Sequence, residues 1–220
     1  NPTGQVIDAA GMRRIVDAAR KIGAVVLSDE CYALMAWNDA NDAPENREAS
    51  IESSPCALRA DVCGGDAYGV LVLYSLSKQS NMAGYRTACI AGDHTLVRAM
   101  TELRKQIGLI VPGPVQAAMA AGLRDMAAVR EQHNRYYSRL STLVEALRAY
   151  GYDAHMPQGA LYIWVRTLGD DCWQDMGRLA DLGIVPSPGE FYGAPQYLRF
   201  SATASDAQIT EAAERLHAAL

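Results

Sequence analysis

The chain lacks the marks of several broad protein classes. Among its 220 residues there is no run of basic charge, and the formal charge of −5 with a pI near 5.4 comes from mixed charges, so a phosphate-backbone partner has little support. Its five cysteines, Cys31, Cys56, Cys63, Cys89 and Cys172, are odd in number and never stand in Cys-x-x-Cys spacing, and its four histidines are scattered. No metal site is expected, and reduced thiols in a cytosol are the plainer reading. No apolar stretch approaches the ~20 residues of a membrane span, and no signal peptide precedes the first motif, so the chain reads as soluble and cytoplasmic. There are no internal repeats and no initiator Met. Opening directly on Asn1-Pro2-Thr3-Gly4, it is expected to be the C-terminal part of a longer protein.

Half of the residues are hydrophobic, ample for a core in one large domain or two small ones. Met12, Ile15, Val16 and Ala19 recur at helical spacing between Ile7 and Ile22, with Asp8 as a cap and Gly23 at the far end. The short apolar run Ala24 to Ser28, ending at Asp29, reads as a strand covered on both faces. A helix feeding such a strand is half of a parallel α/β unit. Val70 to Tyr74 is a second buried strand and Arg86 to Ala91 a third, while Asn38 to Asp66, rich in Asn, Asp, Pro, Ser and Gly, reads as a surface excursion with a short turn near Ala57-Leu58. Helices are expected from His94 to Ile107, Pro114 to Leu123 and Ala127 to Tyr150. Strands at Leu161–Val165 and Tyr197–Ser201 alternate with helices from Trp173 to Leu182 and from Asp206. The fold class is α/β, with a domain 1–127 and a smaller α+β domain 128–220 that begins on the long helix.

The chemistry concentrates around Lys78. It follows the second strand in Ser75-Leu76-Ser77-Lys78, with Arg86 eight positions later. A lysine after a strand is usually a solvated surface residue, but here Ser75 and Ser77 supply hydroxyls and Arg86 a planar fork suited to a phosphate dianion. An amine delivered to a sheet edge beside such groups suits a Schiff base to an aldehyde that carries a phosphate, which points to pyridoxal phosphate. Gly84 would let backbone approach a ligand, although a plain turn explains it too.

Asp29 ends a strand read as buried, so its carboxylate needs a cationic or hydrogen-bonding partner, and a protonated pyridine nitrogen is one. Glu30 faces the opposite way and does not pair with it. Tyr32 can donate to a phenolate oxygen or be an ordinary core tyrosine. Arg199, inside the apolar strand Tyr197-Leu198-Arg199-Phe200-Ser201, must meet an anion if it faces inward, and a substrate α-carboxylate suits a bidentate guanidinium. Facing outward it is bland.

Together, Asn1-Pro2-Thr3-Gly4, Ser28-Asp29-Glu30-Cys31-Tyr32, Ser75-Leu76-Ser77-Lys78 through Gly84-Tyr85-Arg86, and Tyr197 to Ser201 resemble the class I/II aminotransferases of fold type I, in the family's order. Ser77 to Arg86, Val111-Pro112-Gly113-Pro114-Val115-Gln116, Gly169 to Trp173 and Pro188 to Gly193 look more narrowly like the actinobacterial N-succinyldiaminopimelate aminotransferases.

The resemblance implies the C-terminal part of a fold-type I transferase, holding part of a large mixed-sheet domain and a small α+β domain. It implies that Asn1 and Tyr32 hydrogen-bond the cofactor's phenolic oxygen, Asp29 pairs with its ring nitrogen, and Lys78 forms the Schiff base and moves the Cα proton. Ser75 and Arg86 hold the phosphate, with Ser77 as a helper, and Arg199 binds the α-carboxylate. A cis Asn1–Pro2 bond, a homodimer, and small-molecule substrates, glutamate as donor and N-succinyl-2-amino-6-oxopimelate as acceptor, are implied as well. A full member has a first half that this chain lacks, so the 220-residue piece is expected to miss part of the phosphate loop and an aromatic stacked on the ring. The rivals are a relative on the same scaffold acting on another amino acid or performing β-elimination, an aminotransferase-like ligand domain of a transcription regulator, and a silent structural domain.

Overall fold

The computed structural model describes residues 1–37 and 55–219. The chain divides into two units, one made of Asn1–Val6, Ala36–Arg47 and His133–Leu220, the other of Ile7–Met35 and Glu48–Gln132.

The second of these carries the lysine. Helix α1 (Ala9–Lys21) starts where the Asp8 carboxylate accepts the Gly11 N–H at 2.6 Å, and ends on a turn with Arg20 and Lys21 before Gly23 at φ +70°. The Arg20 guanidinium then reaches the carbonyls of Cys63, Asp66 and Tyr68. Strand β1 (Val26–Asp29) lies parallel to β2 (Val70–Ser75), with Asp29 opposite Leu73. Strand β3 (Ala88–Gly92) closes the sheet antiparallel to β2, so the sheet is mixed, in the order β1-β2-β3.

One face of this sheet is the core: Val70 and Val72 pack with Val16 of α1, Ala57, and Val62 of a one-turn helix α2 (Ala60–Cys63). That burial corrects the reading of Asn38 to Asp66 as surface. Its described part, from residue 55, tucks Ala57 and Val62 under the sheet, because two apolar residues in a polar stretch are enough to anchor a turn. Residues 38–54 of the same excursion lie outside the described residues.

A second correction concerns β1. Val26 and Ser28 are half-buried, but Leu27 on the other face is 62 % exposed and Asp29 is exposed too, while Leu71 of the neighbouring strand is buried. An uninterrupted apolar run is compatible with two covered faces without requiring them. Helices α3 (His94–Gln106) and α4 (Gly113–Gly122, with Pro114 in its first turn) follow, and the division between the units falls within helix α5 (Met126–Tyr150).

In the other unit β4 (Tyr162–Arg166) pairs antiparallel with β6 (Tyr197–Ser201), and β6 with a two-residue strand β5 (Ser187–Pro188). Ile163, Val165, Leu198 and Phe200 face inward with Leu140 and Leu147 of α5 among the buried residues. Helix α6 (Cys172–Asp181) is capped by Asp171, and α7 (Asp206–Ala218) by the reciprocal Ser205–Gln208 box. Among the described residues no helix is long and apolar enough to cross a membrane.

Candidate active site

Strand β2 delivers its last side chain, Ser75, buried, and Leu76, wholly buried, then breaks into a turn. The Leu76 carbonyl accepts the N–H groups of Ser80 and Met82, both at 3.2 Å, which folds residues 77–81 back over the strand end. Lys78 is half-buried on this turn, its Nζ 6.0 Å from the centre of the Tyr32 ring. Ser77 is half-buried beside it.

Asp29 stands at the end of the parallel neighbour β1, and its carboxylate accepts the Cys31 N–H at 3.2 Å. The Cys31 thiol lies near enough to the Asp29 carboxylate, the Ser75 hydroxyl and the Lys78 amine for each to act on its ionisation. Its ionisation is pushed up, first by burial and then by Asp29, against the opposing pull of Ser75 and Lys78. Asp29, Tyr32, Ser75 and Lys78 therefore gather at the carboxyl ends of two parallel strands, where open α/β sheets bind ligands. Cys31 was missed by reasoning from sequence; as one of the two residues between Asp29 and Tyr32 it had no spacing signal beyond that proximity.

The premise that burial forces a partner on Asp29 does not hold, since Asp29 is exposed. The buried carboxylate is its neighbour Glu30, 7 % exposed, which accepts the Ser28 hydroxyl at 2.9 Å and the Ala57 N–H at 2.7 Å. Around it burial pushes the Cys56 thiol up to about 11 and the Tyr74 phenol up to about 12. Arg86 is also displaced from expectation: it lies before β3, not in it, as the left-handed cap (φ +52°) of a 3-10 turn, Ala83–Tyr85. It is exposed, and its Nη1 donates to the Ala83 carbonyl at 3.1 Å.

Asn1 and Arg199 belong to the other unit. Arg199 sits on β6 opposite Trp164 and Ser187, its guanidinium over the Tyr162 ring at 4.2 Å and the Tyr192 ring at 5.0 Å. Its Nη1 donates to the Asn1 side-chain oxygen at 2.8 Å, and its buried Nε makes no hydrogen bond among the described residues. A ring-clamped guanidinium with an unmet donor is suited to a carboxylate. The Asn1–Pro2 bond is cis, as the resemblance implied.

The donor set fits pyridoxal phosphate: a primary amine for the aldehyde, a carboxylate one strand away for the ring nitrogen, and hydroxyls for the phosphate. Fold and site thus define a chain of the pyridoxal-phosphate α/β type. Residues 1–216 match the model for aminotransferase class I and II, and the chain belongs to that family, whose members depend on pyridoxal phosphate.

Among its relatives are the 4-dedimethylamino-4-oxo-anhydrotetracycline transaminase OxyQ of Streptomyces rimosus, 42 % identical over 98 % of this chain and 57 % of that protein, and a probable aminotransferase of Mycobacterium tuberculosis, 38 % identical over 98 % of this chain and 49 % of that one. The chain thus spans about half the length of the curated relatives it matches. A solved probable N-succinyldiaminopimelate aminotransferase from Thermus thermophilus superposes with a TM-score of 0.77 at 26 % identity, over 100 % of this chain and 56 % of its own. BacF from Bacillus subtilis superposes at 0.81 and 23 % identity, over 100 % and 56 %, which shows the shared fold alone.

Proposed function

We propose that the complete protein is a pyridoxal-phosphate aminotransferase, moving an amino group between glutamate and an acceptor of the N-succinyl-2-amino-6-oxopimelate kind. The observation that carries the reading is the Lys78 amine beside the Tyr32 ring, with Asp29 and Ser75 at the ends of the two adjoining parallel strands. The acceptor rests on the likeness to the Thermus thermophilus protein and to LL-diaminopimelate aminotransferases such as that of Oleidesulfovibrio alaskensis, 30 % identical over 98 % of this chain and 53 % of that protein.

When bound, the cofactor supplies an electron sink for the pair released on breaking the substrate Cα–H bond. The chain's own residues do the rest. Lys78 would hold the cofactor's aldehyde carbon, and its amine, when free, would move the substrate's Cα proton. Asp29 keeps a proton on the ring nitrogen. Tyr32 and Asn1 donate to the phenolic oxygen, Ser75 and Arg86 hold the phosphate with Ser77 as helper, and Arg199 grips the α-carboxylate. In this reading residues 1–127 are part of the cofactor-binding domain and 128–220 the small domain, in a cytoplasmic homodimer.

A second acceptor, a ring ketone, is favoured by the 42 % identity to the anhydrotetracycline transaminase. Screening both ketone classes against the full-length enzyme separates the two.

The test of the common core is chemical. Borohydride reduction of the full-length holoprotein followed by peptide mapping is expected to fix the cofactor on Lys78 rather than on Lys21 or Lys105, and Lys78→Ala is expected to abolish both the labelling and transamination. Normal turnover by Lys78→Ala, or label on another lysine, removes the reading.

A further inference from the structure

Gln79, the residue after Lys78, is 4 % exposed in a turn whose neighbours Ser77, Lys78 and Ser80 are half-buried. A buried amide must find partners, and it has two: its Oε1 accepts the Tyr74 hydroxyl and its Nε2 donates to the Ser80 hydroxyl at 3.2 Å. Tyr74 lies on β2 and packs on the Val70–Val72 core, and with its ionisation pushed up to about 12, by burial foremost, the phenol remains a donor throughout the neutral range. The turn is gripped on its other side by α4: a Cβ on Gly122 would stand 3.0 Å from Leu76 Cδ1 and 3.2 Å from Met82 Sδ, so the helix backbone approaches both ends of the turn closely. Lys78 itself is held weakly, its carbonyl receiving the Asn81 N–H only at 3.5 Å. The nearest fixed point to the amine-bearing residue is therefore the Tyr74–Gln79 bond.

We propose that Gln79, pinned by Tyr74, is a positioning residue that sets where the Lys78 amine stands. The inference rests on the reading of Lys78 as the cofactor-bearing amine. A side chain as long as lysine's places its nitrogen reproducibly only when its Cα is fixed, and misplacement by about 1 Å costs up to ~100-fold in rate. Gln79 also escaped detection from sequence, where nothing distinguishes a buried glutamine in a polar turn from a solvated one.

Gln79→Met, Tyr74→Phe and the double variant are compared with wild type as full-length holoproteins. The readouts are the pH midpoint of the absorbance of the Lys78-bound cofactor, kcat and KM, and thermal unfolding. Cys31 and Tyr32, the groups placed near the Lys78 amine, keep their side chains in these variants; Cys31 also lies within the charge reach of Tyr74, so it is the shift in Gln79→Met, which leaves the phenol in place, that reports a moved amine.

Each single variant is expected to shift the midpoint in the same direction by about half a pH unit or more, and to lower kcat roughly tenfold with KM within about twofold. The double variant is expected to go no further than either single one, since all three break the same bond. If Gln79→Met does not fold, Tyr74→Phe, which deletes one oxygen, carries the test through kcat and KM. A lowered melting temperature with an unmoved midpoint, or additive effects in the double variant, overturns the inference. Wild-type protein with no cofactor on Lys78 overturns the functional reading and this inference with it; a normal wild type with unmoved variants overturns this inference alone.

Discussion

Asp175, wholly buried, shows how a single residue can organise a loop. Its carboxylate accepts the Tyr152 hydroxyl at 2.9 Å, the Leu168 N–H at 2.7 Å and the Gly169 N–H at 3.0 Å, and pairs with Arg178. Burial alone would raise its pKa, but these four donors together outweigh burial and hold it below the usual carboxylate range. A group whose folded pKa is depressed contributes stability above its unfolded value of about 3.9, and that contribution is lost as pH falls through the folded value. Asp175→Asn is therefore expected to cost about 2–3 kcal/mol near neutrality, because a neutral amide turns an N–H toward groups that are themselves donors. Urea unfolding at pH 7 and again below pH 4 checks this, with the gap between variant and wild type narrowing in acid. A constant gap would mean that the charge contributes nothing.

At the scale of elements, local chemistry was legible where it was self-contained. Asp8 caps α1 and Gly23 ends it because capping and a left-handed turn depend on the adjacent backbone alone. The same holds for α7, whose Ser205 and Gln208 satisfy each other's backbone N–H groups; Ser205→Ala is expected to cost about 1 kcal/mol, read as a lowered melting temperature. What was not legible depended on partners distant in sequence. Strand β5 is two residues long and exists only because β6 pairs with it, and α2 is one turn held by α1 and the sheet. The candidate site divides in the same way. Lys78 and Asp29 were found from their strand ends, whereas Cys31 and Gln79 entered only through contacts that alternation and spacing do not encode.

At the scale of the molecule, the burial of a sheet face is set by what packs on it. The run from Ala24 to Asp29 is apolar enough for an interior strand, yet in this chain, about half the length of its relatives, the outer face of β1 is open at Leu27. Leu198 of β6, by contrast, is wholly buried within its own unit. Two leucines on strands of similar hydropathy should then answer to truncation very differently. In the 220-residue chain Leu27→Ser is expected to change stability by no more than about 0.5 kcal/mol, since it removes little surface from water that folding had excluded. Leu198→Ala is expected to cost about 2–5 kcal/mol through lost burial and the cavity left behind. Denaturant titration of both variants decides the matter, and a Leu27→Ser penalty comparable to that of Leu198→Ala would show that the open face is covered in solution.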